Sequence, residues 1–356
     1  MPLPICWYAG AMISRRSAVS GLMALAGATA LPAVAPAGGY PAKPPRLRRG
    51  DTVALIEPAG FSDNMTQVEQ VRATVVGMGL VPLVGRNVTA RYGYLAGTDQ
   101  QRADDLNAAY ANPDVRAVFA VRGGWGCARI LPLLDWKTIA ANPKLLIGFS
   151  DITALHLAFA ARAGFPTIHG PNAANSWPAT SWNSLWKLAF SGETPIFRNP
   201  DVTALDPLQQ ERWRTTTISP GKAAGTLVGG NLTVLSALVG TPWLPDLSGK
   251  ILFLEDTGEA EYRVDRMLTQ LALAGILSKV AGVVFGQCTR CSIGVLDYQG
   301  FTTSQVLQQH LGSLGVPVFS GANIGHISDQ LSIPVGVRAE IDAAEGSIRV
   351  LEPAVA

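Results

Sequence analysis

Gly148-Phe149-Ser150-Asp151 follows the short apolar run Leu145-Leu146-Ile147, and after it apolar residues return at helical spacing, at Ile152, Leu155 and Phe159. A serine where a buried strand turns sharply into a helix has the geometry of a nucleophile elbow: the turn lifts the hydroxyl out of the sheet and the helix N-terminus lies under it. The match to G-x-S-x-G is partial, because Ile152 stands where the second glycine would be. Serine is also a favoured helix N-cap, and on this stretch alone capping is the simpler reading.

A serine hydroxyl becomes a useful nucleophile only when a base takes its proton. Of the four histidines, His156 falls inside the helix after Ser150, near its apolar face, and reads as packed core. His310 sits at a polar helix end and reads as solvated. His169 and His326 each stand beside a glycine at a strand or loop end, where a base can reach a pocket. Acids at such an end are Glu255 and Asp256, after the apolar run 250–254, with Glu259 nearby. No H-x-x-x-H or H-E-x-x-H pair occurs, so a histidine metal site has no support and no metal is expected.

Arg122-Gly123-Gly124-Trp125-Gly126 follows the stretch 115–121, VRAVFAV, which reads as a third strand. As a dinucleotide cradle it fails on spacing, being G-G-x-G rather than G-x-G-x-x-G and following the third strand rather than the first, so no cofactor is expected. Two readings remain: a loop whose bare backbone N–H groups approach a ligand closely, which glycine permits because it has no Cβ, or a plain tight turn.

The elements that must position these groups alternate. Strands are predicted at 52–57, 80–84, 115–121 and 144–149. Between them fall helices at 63–78, with Met65, Val68, Val71, Val75 and Met78 on one face, and from Thr98, where T-D-Q-Q has capping-box form. Such alternation means a parallel sheet covered on both faces, whose ligands gather at the carboxyl ends of the strands. Ser150 and the glycine-rich loop are both at such ends. Residues 193–222 turn polar, with no clear period, and mark a junction. Beyond it come Gly229-Gly230-Asn231-Leu232, a helix at 232–239, strands at 250–254 and 280–285, helices at 262–273 and 303–311, and a hairpin of 335–341 with 347–351. The expected architecture is α/β: a flavodoxin- or Rossmann-like parallel-sheet domain over 51–192, and a smaller α/β domain with mixed β structure over 223–356.

At 356 residues the chain is long enough for two domains. Ser14-Arg15-Arg16-Ser17 precedes an apolar stretch to Leu31 and the A-x-A-like Ala35-Pro36-Ala37. That is the form of an export signal of the twin-arginine type over 1–37, with a Pro/Arg-rich tether over 38–50. The alternative is a buried or membrane-anchored N-terminal helix, and Met12 is a second candidate start. Without 1–37, basic and acidic residues balance at 26 each, which argues against nucleic-acid binding. No later segment is apolar for long enough to span a bilayer. Export therefore implies a periplasmic or otherwise exported protein with no stable membrane insertion. Cys288 and Cys291 form a lone C-x-x-C, too little for zinc, and either close a small loop disulfide or stay unpaired. Cys127 reads as a small buried residue.

Taken together and in this order, R-G-G-W-G, G-F-S-D-I-T-A-L-H, G-G-N-L, I-L-F-L-E-D and a late G-H closely resemble the serine LD-carboxypeptidase family. These enzymes are related to the microcin self-immunity peptidases and trim the terminal D-alanine from murein tetrapeptides. The likeness runs from about Gly50 to Pro353. It implies a Ser-Glu-His triad split across two domains: Ser150 as nucleophile in the first, Glu255 and His326 in the second. It implies an oxyanion hole from the N–H groups of Asp151 and Gly123, with Gly124 the rival donor. Trp125 is then a candidate for packing on the substrate, and Arg122 and Arg129 for holding its C-terminal carboxylate. The expected partner is a peptidoglycan-derived peptide, and homodimers are implied by analogy. An export signal departs from a family associated with the cytoplasm and recycled murein, as does the C-x-x-C. Two alternatives stay open: an immunity-type peptidase cleaving peptidyl- or acyl-adenylate analogues, and a periplasmic solute-binding protein with two α/β lobes.

Overall fold

The computed structural model describes residues 42–200, 213–294 and 298–356. The expected export signal over 1–37 lies outside the described residues. Among those described, no helix is long and apolar enough to cross a membrane.

Five strands, β1 (Thr52–Ile56), β2 (Val81–Val84), β3 (Val115–Ala120), β4 (Leu145–Gly148) and β5 (Thr167–His169), run parallel in the order β2-β1-β3-β4-β5. Their crossovers include α1 (Met65–Gly77), α2 (Asp99–Ala111), α3 (Cys127–Ile130), α4 (Trp136–Ala141) and α5 (Thr153–Arg162). The central strands carry side chains buried on both faces, with Leu145, Leu146 and Ile147 all at 0% exposure. That is why they read as unbroken apolar runs rather than alternating ones. Asn64 caps α1, and the expected capping box of Thr98 with Gln101 opens α2.

The second sheet has eight strands in the order β6-β14-β13-β8-β9-β10-β11-β7. Its parallel centre is β8 (Lys222–Asn231), β9 (Ile251–Thr257), β10 (Gly282–Thr289) and β11 (Val318–Ser320). The outer strands β6 (Ile196–Phe197), β7 (Thr216–Ser219), β13 (Arg338–Asp342) and β14 (Ser347–Val350) pair antiparallel. This is the expected α/β class, with mixed β structure in the second half.

Two stretches differ from the sequence reading. Within 193–222, β6 and β7 form the two edges of the second sheet; strands this short, with half their residues exposed, leave no hydrophobic period to read. The predicted strand 335–341 is split. Its first residue, Val335, ends β12 (Ile333–Val335), which pairs antiparallel with β5 and completes the first sheet, while β13 joins the second. The change of sheet is made at Gly336, whose φ of +88° suits glycine.

His156 shows how the first sheet is closed beneath the elbow. It is fully buried, and its Nε2 meets the Gly148 carbonyl at 2.8 Å, as its Nδ1 meets Thr167 Oγ1 at 2.8 Å. A carbonyl only accepts, so Nε2 carries the proton and Nδ1 accepts from the hydroxyl. Burial lowers its pKa from 6.5 to about 4. A base whose folded pKa is depressed favours folding fully above its unfolded pKa, and that contribution is lost as pH falls through the folded value. The window is therefore pH 6.5 down to about 4, and the loss is about 3 kcal/mol at 1.4 kcal/mol per unit. Urea unfolding at a series of pH values should show stability falling across this window. In a His156→Gln protein the fall should be shallower by roughly that amount; an unchanged slope would refute the assignment.

Candidate active site

Ser150 is one of three non-glycine residues with positive φ among those described, at +64°. A serine held in the left-handed region costs of order 1–3 kcal/mol and persists only where the surroundings impose it. Here they do. Gly148 has no room for a side chain, since a Cβ there would lie 2.8 Å from Asn172 Oδ1. The Phe149 N–H donates to the same Asn172 oxygen at 3.1 Å. On the far side, Asp151 Oδ2 accepts from the Cys127 N–H at 2.8 Å. Neither the short 3-10 turn Ser150–Ile152 nor α5 after it has a side-chain cap. The Ser150 hydroxyl points instead at His326.

Ser150 Oγ lies 3.0 Å from His326 Nε2, and His326 Nδ1 lies 2.7 Å from Glu255 Oε2. A carboxylate only accepts, so Nδ1 carries the imidazole proton and Nε2 is left to accept from the serine hydroxyl. Glu255 is fully buried at the carboxyl end of β9. His326 follows Gly325, whose φ is +114° and whose Cβ would lie 2.7 Å from Glu255 Oε2; the late G-H pair is thus a close-approach requirement. The Phe149 ring packs on the imidazole at 4.7 Å between centroids.

The rivals are otherwise engaged. Asp256 accepts from Asn231 Nδ2 at 3.0 Å and from the N–H and hydroxyl of Thr233 at 2.9 and 2.8 Å, which ties β9 to the start of the helix Leu232–Ala237. Glu259 pairs with Arg263 at 3.4 Å. His169 is fully buried among Phe149, Phe253 and His156, and burial holds its pKa well below the usual range.

The G-G-N-L and S-D-I-T motifs meet. The Asn231 N–H donates to Thr153 Oγ1 at 2.9 Å, and a Cβ on Gly230 would lie 2.4 Å from that oxygen. This contact brings the carboxyl end of β8 against the start of α5.

Ser150 and His326 open into a cavity of about 470 Å³, also lined by Ser62, Gln67, Arg122, Gly123 and Asn172 among others. A Cβ on Gly123 would lie 2.9 Å from Ser150 Cβ, so only glycine brings the loop this close. Arg122 Nη1 donates to the Phe61 carbonyl at 2.8 Å. Two expected substrate contacts stand apart. Arg129 is paired with Asp99 through Nε and Nη2, at 3.0 and 2.8 Å. Trp125 is 67% exposed, sits edge-on to Tyr94, and is not among the lining residues. Asn172 was not singled out in the sequence, although it stands just past the end of β5, where site residues of such sheets collect.

Cys288 and Cys291 are joined as a disulfide, with Cα atoms 5.3 Å apart, and Cys288 lies in register with Asp256. The neighbouring Thr289 hydroxyl donates to the His326 carbonyl at 3.0 Å. Cys127 is buried, and burial pushes its thiol pKa up. Among the described residues, no group of three or more His, Cys, Asp or Glu could hold a metal ion.

Residues 53–170 match the LD-carboxypeptidase N-terminal domain, and residues 224–341 match the LD-carboxypeptidase C-terminal domain. A putative carboxypeptidase of Streptomyces coelicolor is 40% identical over 324 residues, 88% of this chain and 97% of that one. A murein tetrapeptide carboxypeptidase of Pseudomonas aeruginosa is 35% identical over 300 residues, 82% of this chain and 92% of that one. The crystal structure of a muramoyltetrapeptide carboxypeptidase from Oxalobacter formigenes superposes with a TM-score of 0.71 at 29% identity, covering 85% of this chain and 99% of that one. An elbow serine, an imidazole and a buried carboxylate held in line across two sheets therefore stand in a chain that belongs to the LD-carboxypeptidase family of serine peptidases.

Proposed function

We propose that the protein hydrolyses the L,D-peptide bond that releases the terminal D-alanine of murein tetrapeptides, through an acyl-enzyme on Ser150. The observation that carries this is the hydrogen-bonded line Ser150–His326–Glu255 at 3.0 and 2.7 Å, opening into the cleft. His326 Nε2 takes the serine proton as Oγ attacks the carbonyl carbon, and returns it to the departing amine. Glu255 holds the imidazole tautomer and stabilises the imidazolium that forms. Water then attacks the ester by the same route in reverse.

Negative charge develops on the carbonyl oxygen during attack and needs donors already in place. Among the described residues, the backbone N–H groups of Gly123 and Asp151 donate to no protein acceptor. Both flank Ser150, and we assign them as the oxyanion donors. A carboxypeptidase must also recognise a free carboxylate one residue beyond the scissile bond. Arg122 is the guanidinium in the lining, already oriented by the Phe61 carbonyl, and is assigned that role. The expected export signal would place the enzyme on the side of the membrane where murein itself lies. The C-x-x-C disulfide is compatible with an oxidising compartment.

Incubation of the purified protein with a murein tetrapeptide should release D-alanine, unaffected by EDTA. Ser150→Ala should lower kcat by at least about 10³. Glu255→Gln, which misdirects the imidazole, should lower it by roughly 10²–10⁴. Release at an undiminished rate by Ser150→Ala would end the proposal. A faster reaction on an acyl-adenylate analogue in parallel would assign the enzyme to the immunity-type substrate instead.

Arg122→Gln should raise KM for the tetrapeptide about 10–100-fold, the worth of a charge-assisted hydrogen bond. The same peptide amidated at its C-terminus should be a poor substrate for both proteins, with little difference between them. If the variant loses equally on both peptides, Arg122 does not read the carboxylate.

A further inference from the structure

The glycine-rich loop is held from behind by one buried guanidinium. Arg102 lies on α2 in phase with Leu106 and Tyr110, and is 1% exposed. Its Nη1 donates to the Pro58 carbonyl at 2.7 Å and to the Gly126 carbonyl at 2.8 Å. Its Nη2 pairs with Asp99, whose other oxygen takes Arg129. One side chain thus ties the loop after β1 to the loop after β3.

Other contacts show how closely these loops are set. The Gly60 N–H donates to the Gly123 carbonyl at 3.1 Å. Arg122 reaches back to Phe61, and Cys127 forward to Asp151. A Cβ on Gly126 would lie 2.9 Å from Arg102 Nη1 and 2.6 Å from Leu95 Cδ2. Packing alone does not call for a charge here. Burying a guanidinium carries a large desolvation penalty, and an aliphatic residue in phase with Leu106 would fill the same helix face. What a cation adds is direction: two carbonyls turned towards it fix two peptide planes. With the Gly123 carbonyl held by Gly60 and the Gly126 carbonyl by Arg102, the Gly123–Gly124 and Gly126–Cys127 peptide planes are set, and the backbone that directly follows the Gly123 N–H cannot turn freely.

We infer that Arg102 is a positioning residue for acyl transfer, holding the glycine-rich loop so that its amide faces the oxyanion formed at Ser150. This rests on the assignment of Gly123 as an oxyanion donor. Such a residue acts on the transition state and leaves ground-state substrate binding largely untouched.

The test uses Arg102→Met, Arg102→Lys and Asp99→Asn in the full chain, with two readouts. One is kcat and KM for D-alanine release. The other is the second-order rate of Ser150 phosphonylation by a fluorophosphonate, which draws on the same donors and does not depend on knowing the substrate. The Met variant should lose about 10²–10³ in kcat, the worth of one oxyanion donor. KM should stay within about threefold, the shape of the pH profile should not change, and phosphonylation should slow in proportion. Lys, which keeps the charge but not the fork, should recover part of the loss. Asp99→Asn should show a smaller loss with the same kcat-only signature; Asp99 is part-exposed, so this variant decides the matter if the buried substitutions fail to fold. Folded variants with wild-type phosphonylation, or with the loss confined to KM, overturn the inference. A wild type that is phosphonylated but releases no D-alanine refutes the substrate reading alone, and the phosphonylation ratios still decide the role of Arg102. A wild type whose Ser150 resists the reagent removes the oxyanion assignment and the inference with it.

Discussion

A buried carboxylate fixes the relation between the two sheets. Glu255 is fully buried at the end of β9, where an isolated charge would be strongly unfavourable. Among the described residues, its hydrogen-bond partner is the imidazole of His326. That ring can hold its bond to Glu255 and also meet Ser150, 176 residues earlier in the chain, only if the carboxyl edges of both sheets face one another. The rest of the architecture can be read as what keeps them there: Asn231 on Thr153, β12 crossing to complete the first sheet, and Phe149 against the imidazole. A displacement of about 1 Å along this line would break a hydrogen bond at one end or the other.

Such proximity is bought with glycine. Gly123 against Ser150, Gly325 against Glu255 and Gly230 against Thr153 are each places where a Cβ would come within 3.0 Å of the partner. All three belong to motifs around Ser150, His326 and Glu255: R-G-G, G-H and G-G-N-L. The motifs are therefore records of close approach as much as of chemistry. The strained φ of Ser150 belongs with them, because a hydroxyl raised out of a sheet needs a turn that an ordinary strand-to-helix junction does not provide.

Legibility from sequence followed burial and period. The parallel strands β1, β3 and β4 are almost wholly buried and were readable to within a residue or two, as was the capping box of α2. The edge strands β6 and β7 were not, because short, half-exposed strands have no period. The run 335–341 misled for the opposite reason: Val335 and Val337 flank Gly336 and both are buried, and burial does not say which of two sheets a strand joins. Within the site, the local stretch allowed Ser150 to be an elbow nucleophile or a helix cap, and the resemblance carried by the ordered motifs singled it out as the nucleophile. What separates the two readings is a contact with His326, and no local pattern encodes it. Arg129 shows how a distant partner escapes a local reading. A lone arginine beside a glycine-rich loop looks available for a carboxylate, whereas Asp99, far away in sequence, already holds it.

Arg102 was overlooked although its signal was present. It lies in phase with Leu106 and Tyr110, so the apolar period of α2 puts a charge on its buried face. A charged side chain on an inward face is either an error of register or a group with a buried task, and the observed partners distinguish the two: they are backbone carbonyls of the two loops that frame the cleft. The same argument clears His156, which is inward, polar and fully paired, but whose partners lie in β4 and β5 beneath the elbow. Both residues support the site without facing the cleft, one by setting the loop beside Ser150 and the other by closing the sheet under it. In a fold whose site is assembled from strand ends, the polar residues that face inward are where such support is to be sought, since the apolar majority specifies the sheet but not the orientation of the peptide planes at its edge.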